Sequence, residues 1–197
     1  MNIRLEKPND YEAVERLTFE AFETMTLPGR THTDEHYLVR LLRGVSAFVP
    51  ELDFVGEQDG KIIANIMYTK SKVVRPSGEK VETLTFGPVS VTPELHGRGI
   101  GTEIIRYSLE QACKFGFGAV IIVGHPDYYP RFGFKPASRF NLTMPDGSSS
   151  DAIMALELRD GYLGTDGGKW YVDKVFEIDQ NAFAEWDVGF KKRRETD

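Results

Sequence analysis

Between residues 81 and 123 the chain changes its hydrophobic period twice, and this stretch limits the fold more than any other. Val81 to Val91 reads as a strand. A loop carrying Gly97, Gly99 and Gly101 follows. Thr102 to Phe115 then reads as a helix, with Ile100, Ile104, Ile105, Leu109, Ala112 and Cys113 on one face and Glu103, Arg106, Glu110 and Lys114 on the others. Gly116 and Gly118 close it. Ala119 to Val123 is apolar at every position, which suits a strand buried on both faces. Strand, crossover helix and buried strand make a parallel pair.

The flanking segments supply an antiparallel front. Asn2 to Glu6 predicts a first strand, and Pro8, Asn9 and Asp10 end it, with Asp10 as a helix N-cap. Val14, Leu17, Phe19, Ala21 and Phe22 mark a helix stopped at Pro28-Gly29. A second helix runs from about Thr33 to Leu42. Phe54 to Gln58 and Lys61 to Val74, joined at Asp59-Gly60, read as a hairpin, and Pro76-Ser77-Gly78 turns the chain into Val81 to Val91. Phe134 to Thr143 and Ala152 to Leu158 predict two more strands, and Phe176 to Phe190 a closing helix or strand over the sheet. The class is α/β, with a mixed, mostly antiparallel sheet, one parallel crossover and helices on both faces. Residues 1–175 form the main domain. Residues 176–197 form a partly packed extension whose Lys191-Lys192-Arg193-Arg194 run reads as a solvated basic tail.

The 197 residues suffice for one domain with a real core. A net charge of −6 argues against bulk attraction to nucleic acid or an anionic membrane and leaves room for a cationic partner. No apolar run reaches the length of a membrane span. Cys113 stands alone, so no intrachain disulfide can form, and the cytoplasm is the expected compartment. On the apolar helix face Cys113 reads as a core residue rather than a nucleophile. No metal is expected.

The chemistry concentrates in Val89-Ser90-Val91-Thr92-Pro93-Glu94-Leu95-His96-Gly97-Arg98-Gly99-Ile100-Gly101. Glycines at a helix start expose unpaired N–H groups and a positive dipole end to an anion, so the loop suits phosphates. A nucleotide P-loop would need a lysine after Gly101, where Thr102 stands. The dinucleotide fingerprint would need a third glycine at 102. The spacing that fits is a polar residue, two residues, Gly, one residue, Gly: His96, Gly99 and Gly101. This resembles the pyrophosphate loop of the GNAT superfamily of CoA-dependent N-acetyltransferases, although that family prefers Gln or Arg at the position of His96. The segment Gly124-His125-Pro126-Asp127-Tyr128-Tyr129-Pro130-Arg131-Phe132-Gly133-Phe134 resembles a second GNAT signature and, with Met154 to Leu158 and Gly161 to Gly164, the YhbS-like branch. That branch usually has Asp at the position of His125.

The resemblance implies a GNAT-type acyl-CoA N-acyltransferase fold, with acetyl-CoA as co-substrate. It implies transfer of an acetyl group to a primary amine of a small molecule or peptide by direct attack in a ternary complex. Val89, Ser90 and Val91 would run beside the pantetheine arm. His96, Gly97, Arg98, Gly99, Ile100, Gly101 and Thr102 would surround the pyrophosphate, with Arg98 either adding charge or standing in solvent. Tyr129 would act as general acid or only pack against the cofactor, and Tyr128 reads as a packing aromatic. For the base, Glu82, Glu20, Glu23 and His125 stay open. The acidic balance then belongs to a pocket for a cationic amine. C-terminal strands pairing between chains would make a homodimer. The other reading is a non-catalytic acyl-CoA-binding or interaction module of the same fold.

Overall fold

A computed structural model describes residues 1–23 and 33–194, so the expected helix stop at Pro28-Gly29 lies outside the described residues. In chain order the elements are β1 (Asn2–Leu5), α1 (Tyr11–Glu23), α2 (Glu35–Leu42), β2 (Phe54–Gln58), β3 (Lys61–Val74), β4 (Lys80–Val91) and α3 (Ile100–Lys114). They continue with β5 (Ala119–Val123), β6 (Lys135–Pro136), β7 (Leu142–Thr143), β8 (Ile153–Glu157), β9 (Gly168–Tyr171) and α4 (Gln180–Arg194). One sheet runs β1-β2-β3-β4-β5-β8-β6, with β9 beside the far part of β3 and β7 beside β9. The path from β1 to β4 is antiparallel, and the crossover through α3 sets β5 parallel to β4.

Alternation along β3 sorts the core into layers. Ala64, Ile66 and Tyr68, with Leu84 and Phe86 of β4, face Ile104, Ile105, Leu109 and Ala112 of α3. Met67 and Val55 face Val14, Leu38, Val39 and Leu42 of α1 and α2. The Tyr68 hydroxyl pairs with the Ser108 hydroxyl at 2.9 Å, so neither buried oxygen lacks a partner.

Four expectations change. The run 134–143 is two short strands separated by a 3-10 turn at Ala137–Phe140, not one strand. Cys113 is exposed: Ala112 fills the inward position, and the ~100° step to the next helical residue turns the thiol out beside the Leu158 carbonyl. The closing segment docks on α1 and α2. Phe183, Trp186 and Phe190 of α4 surround His36, whose Nε2 lies 3.1 Å from Asp187 Oδ1. The basic run is the last turn of α4, where cations favour the helix dipole and Lys191 reaches Asp187 at 2.7 Å.

A buried ionic knot ties the N-terminal elements. Arg43 donates to Glu6 at 2.7 and 2.8 Å and to Glu15 at 3.2 Å, and its guanidinium lies 4.1 Å from the Tyr11 ring centroid. Asp53 sits beside Glu6 in this knot. Burial, then repulsion by and a hydrogen bond to Glu6, push its carboxyl up to about 9. A raised folded-state value means that the native protein holds a proton the unfolded chain releases near 3.8. Asp53 therefore contributes stability that is full in acid and lost as pH rises toward 9. Asp53→Asn should keep the donor to Glu6 and flatten this slope. In urea or thermal unfolding at pH 5 and pH 8.5, the variant should lose less stability between the two than the parent, with each kcal/mol worth ~2–4 °C.

Candidate active site

The site begins where β4 leaves β5. Leu84 opposite Val120 is the registered pair between them, while β5 pairs with β8 along its whole length. Beyond that point β4 stays on β3 but gains a residue: Tyr68 opposes Phe86 and Ile66 opposes Val89, so three steps on β4 match two on β3. The extra residue falls at Gly87-Pro88, and Pro88 has no N–H to give a ladder. The bulge also swaps the faces. Phe86 points to α3, and after it Val89 and Val91 do, while Ser90 turns to α1 and donates to Thr18 at 3.0 Å.

The backbone alternates in step. Thr92 N–H donates to Ile63 of β3, so Val91 and, two residues earlier, Val89 turn their N–H and C=O to the opposite edge, into the wedge left by β5. The Val91 carbonyl accepts from His96 Nε2 at 2.8 Å. His96 thus carries its ring proton on Nε2 and ties the loop to the strand end, a job the sequence had not suggested.

Gly97 and Gly99 adopt left-handed conformations, φ +75° and +87°. Gly99 takes the N-cap position of α3 without any side-chain cap, and the first helical bond runs from Glu103 N–H to the Gly99 carbonyl. The N–H groups of Ile100, Gly101 and Thr102 precede that bond and point out of the helix end, the arrangement that receives a phosphate. Arg98 is exposed beside them.

The 3-10 turn Tyr129–Phe132 closes the other side of the wedge. The Tyr129 ring packs on Phe86, Phe132 and Phe134, with centroids 5.7–6.2 Å apart. Burial, reinforced by Tyr128, pushes its hydroxyl up to about 12, so it stays protonated. Tyr128, read from sequence as packing, extends its hydroxyl over the first turn of α3: a Cβ on Gly101 would lie 3.2 Å from it. In a tight turn two neighbouring tyrosines point to different sides, and the Tyr-Tyr-Pro run held that signal.

The candidate bases are scattered. Glu82 opposes Lys72, four residues before Phe86, which is ~13 Å along the strand, and its carboxylate pairs with Lys70 at 3.3 Å. The structure does not bring it to Tyr129. His125 stands in solvent, and its Nδ1 accepts the Asp127 N–H at 3.3 Å. Glu20 is half-buried and Glu23 exposed on the last turns of α1, beyond Thr18. Among the described residues no group of His, Cys, Asp or Glu could hold a metal ion, and no helix is long and apolar enough to cross a membrane.

A split parallel pair, an uncapped helix start and a half-buried tyrosine at the wedge floor match the arrangement expected of a GNAT-type N-acyltransferase. The domain profile described as Acetyltransferase (GNAT) domain matches residues 2–137, and the chain belongs to that family. It is 26% identical over 163 residues to the uncharacterized N-acetyltransferase YhbS of Escherichia coli, covering 83% of this chain and 90% of YhbS. It is 33% identical over 91 residues to YjhQ of the same organism, spanning about half the length of each protein (45% and 49%). The crystal structure of E. coli YhbS in complex with CoA superposes with TM-score 0.77 over 90% of this chain and 92% of that one, at 25% identity. A GNAT acetyltransferase from Brucella melitensis in complex with acetyl-CoA gives TM-score 0.68 over 89% and 97%, at 27% identity.

Tyr129 owes its seat to Gly124, where a Cβ would fall 2.3 and 2.5 Å from two Tyr129 ring carbons. Gly124→Ala should cost about 1–3 kcal/mol in urea unfolding. The cost should shrink clearly in a Tyr129→Ala background, because the two positions share one contact.

Proposed function

We propose that the protein transfers an acetyl group from acetyl-CoA to a primary amine of a small molecule or peptide, by direct attack in a ternary complex. The observation that carries this reading is the open edge of β4 at Val89, lying between an uncapped helix start and Tyr129. An extended arm with amide groups can pair with such an edge as an added strand does. The diphosphate at the arm's far end then meets the N–H groups of Ile100, Gly101 and Thr102, and the thioester at its near end lies at the bulge beside Tyr129. The relatives whose structures hold CoA and acetyl-CoA support the choice of cofactor.

The amine must be neutral to attack. It sheds its proton to water, its nitrogen bonds the thioester carbon, and the carbonyl oxygen takes the electron pair. The Val89 N–H, aimed into the wedge, stabilises that oxyanion. The carbon–sulfur bond then breaks as the carbonyl reforms. Tyr129 donates a hydrogen bond to the departing sulfur. A thiolate whose acid titrates near ~8.5 cannot strip a phenol held at about 12. Its proton stays on oxygen. The attacking nitrogen, cationic once bonded, gives up its second proton as the amide forms, and that proton, relayed by water, neutralises the thiolate, while the first stays in solvent. Cys113, exposed on α3 beyond the wedge, takes no part. The amine enters from the α1 side, where Glu20 and Glu23 provide the negative charge that a cationic acceptor needs.

Incubation with acetyl-CoA and a panel of amines, followed by free thiol, tests this. Thiol should appear with some amines. Tyr129→Phe should lower kcat by about 10–100-fold, the worth of one hydrogen bond to a charged atom, with the Kd for CoA almost unchanged. The wild type should show no loss of kcat between pH 8 and 10 from this tyrosine. Tight CoA binding with no thiol released by any amine would instead mark a non-catalytic acyl-CoA-binding module.

A further inference from the structure

Beside the wedge, an open groove runs between α3 and the turn 129–132. Arg106, Leu109, Glu110 and Cys113 line it from the helix, and Arg131, Phe132 and Leu156 from the other side. Two cations therefore face one groove from two separate elements. Neither has an ion-pair partner among the described residues, although Glu110 lies one helical turn from Arg106. The Arg131 guanidinium lies over the Tyr128 ring, 4.4 Å from its centroid, and the Tyr128 hydroxyl stands over Gly101. Stacking holds the guanidinium plane without using its N–H donors. Arg106 follows Ile100 by six residues, which is ~9 Å along the helix from the N–H groups that start α3.

A second anion site within that distance of a diphosphate site suits a ligand with three phosphates, two joined and one apart. We infer that Arg106 and Arg131 bind the phosphate monoester on the 3′ oxygen of the CoA ribose. They would thereby let the protein distinguish CoA from its 3′-dephospho form. The monoester carries close to two negative charges at neutral pH, and two guanidinium forks match its oxygens. Leu109, Phe132 and Leu156 keep the groove floor apolar, which lowers screening of the charges above it. Glu110 repels the phosphate from the lower end of the groove and so holds it at Arg106. This assignment rests on the reading of acetyl-CoA as co-substrate.

The test compares acetyl-CoA with acetyl-3′-dephospho-CoA on the whole chain, by KM and by calorimetric Kd of the free thiols. The wild type should prefer the phosphorylated form by about 10–100-fold, mostly in KM, with kcat little changed. Arg106→Gln and Arg131→Gln should each weaken acetyl-CoA while leaving acetyl-3′-dephospho-CoA nearly as before, so that the preference collapses. Arg106→Lys and Arg131→Lys should restore part of it, and unchanged unfolding midpoints show that the variants are folded. Equal use of both cofactors by the wild type would overturn the assignment and leave the acetyltransferase reading intact. So would variants that weaken both cofactors alike. A wild type that binds neither would overturn the acetyl-CoA reading, and this assignment with it.

Discussion

The parting of β4 from β5 is the constraint on which the rest of the structure depends. A strand edge inside a sheet is costly to leave unpaired, because each unmet N–H or C=O must find water or a partner. Here the edge is kept open by two local facts: a bulge that sets β4 out of step with β3, and a proline that removes one donor. Everything chemical is then placed by the wedge. The crossover requires α3 to start where β4 ends, so the helix's unsatisfied N–H groups come to the wedge mouth. The chain leaving β5 must cross the wedge floor, and it does so with two tyrosines, one over the helix start and one over Phe86.

The stabilising contacts of the N-terminal elements and the candidate site are separated in space by the same arrangement. The ionic knot of Arg43, Glu6, Glu15 and Asp53 joins β1, α1 and α2 on the side of the sheet away from α3. The docking of α4 on His36 strengthens that side again, and burial holds the His36 ring below its ordinary pKa, hence neutral. The wedge carries no such reinforcement. The Val89 N–H points into the gap and the N–H groups that open α3 stand at its mouth, which suits a surface completed by a ligand.

The segment 81–123 was legible because each feature has a local cause: alternation, glycine punctuation, a 3.6-residue period and an all-apolar strand. The hairpin at Asp59-Gly60 and the helix beginning at Asp34-Glu35 were legible for the same reason. The region after Gly133 was not. β6 and β7 have two residues each, and β9 forms only because β3 outlasts β2 and offers its far edge. Cys113 shows the limit of a helical wheel, since one residue at the margin of the apolar face can belong to either side. In the candidate site, the glycine loop before α3 and the turn that carries Tyr129 were readable as motifs. The His96 bond to the strand and the reach of Tyr128 were not, because each depends on where a loop folds back. Glu82 shows the reverse: its place on β4 is plain from the alternation, and only the register reveals how far along the strand it stands from the bulge.

The central claim is that the open β4 edge and the α3 start together form the cofactor's seat. Residue-resolved amide hydrogen exchange with and without CoA tests this directly. Bound CoA should slow exchange at Val89 and at Ile100, Gly101 and Thr102, with Thr92, already bonded to Ile63, nearly unchanged. Bound CoA that leaves these four amides as they were, and protects another part of the sheet, would contradict it.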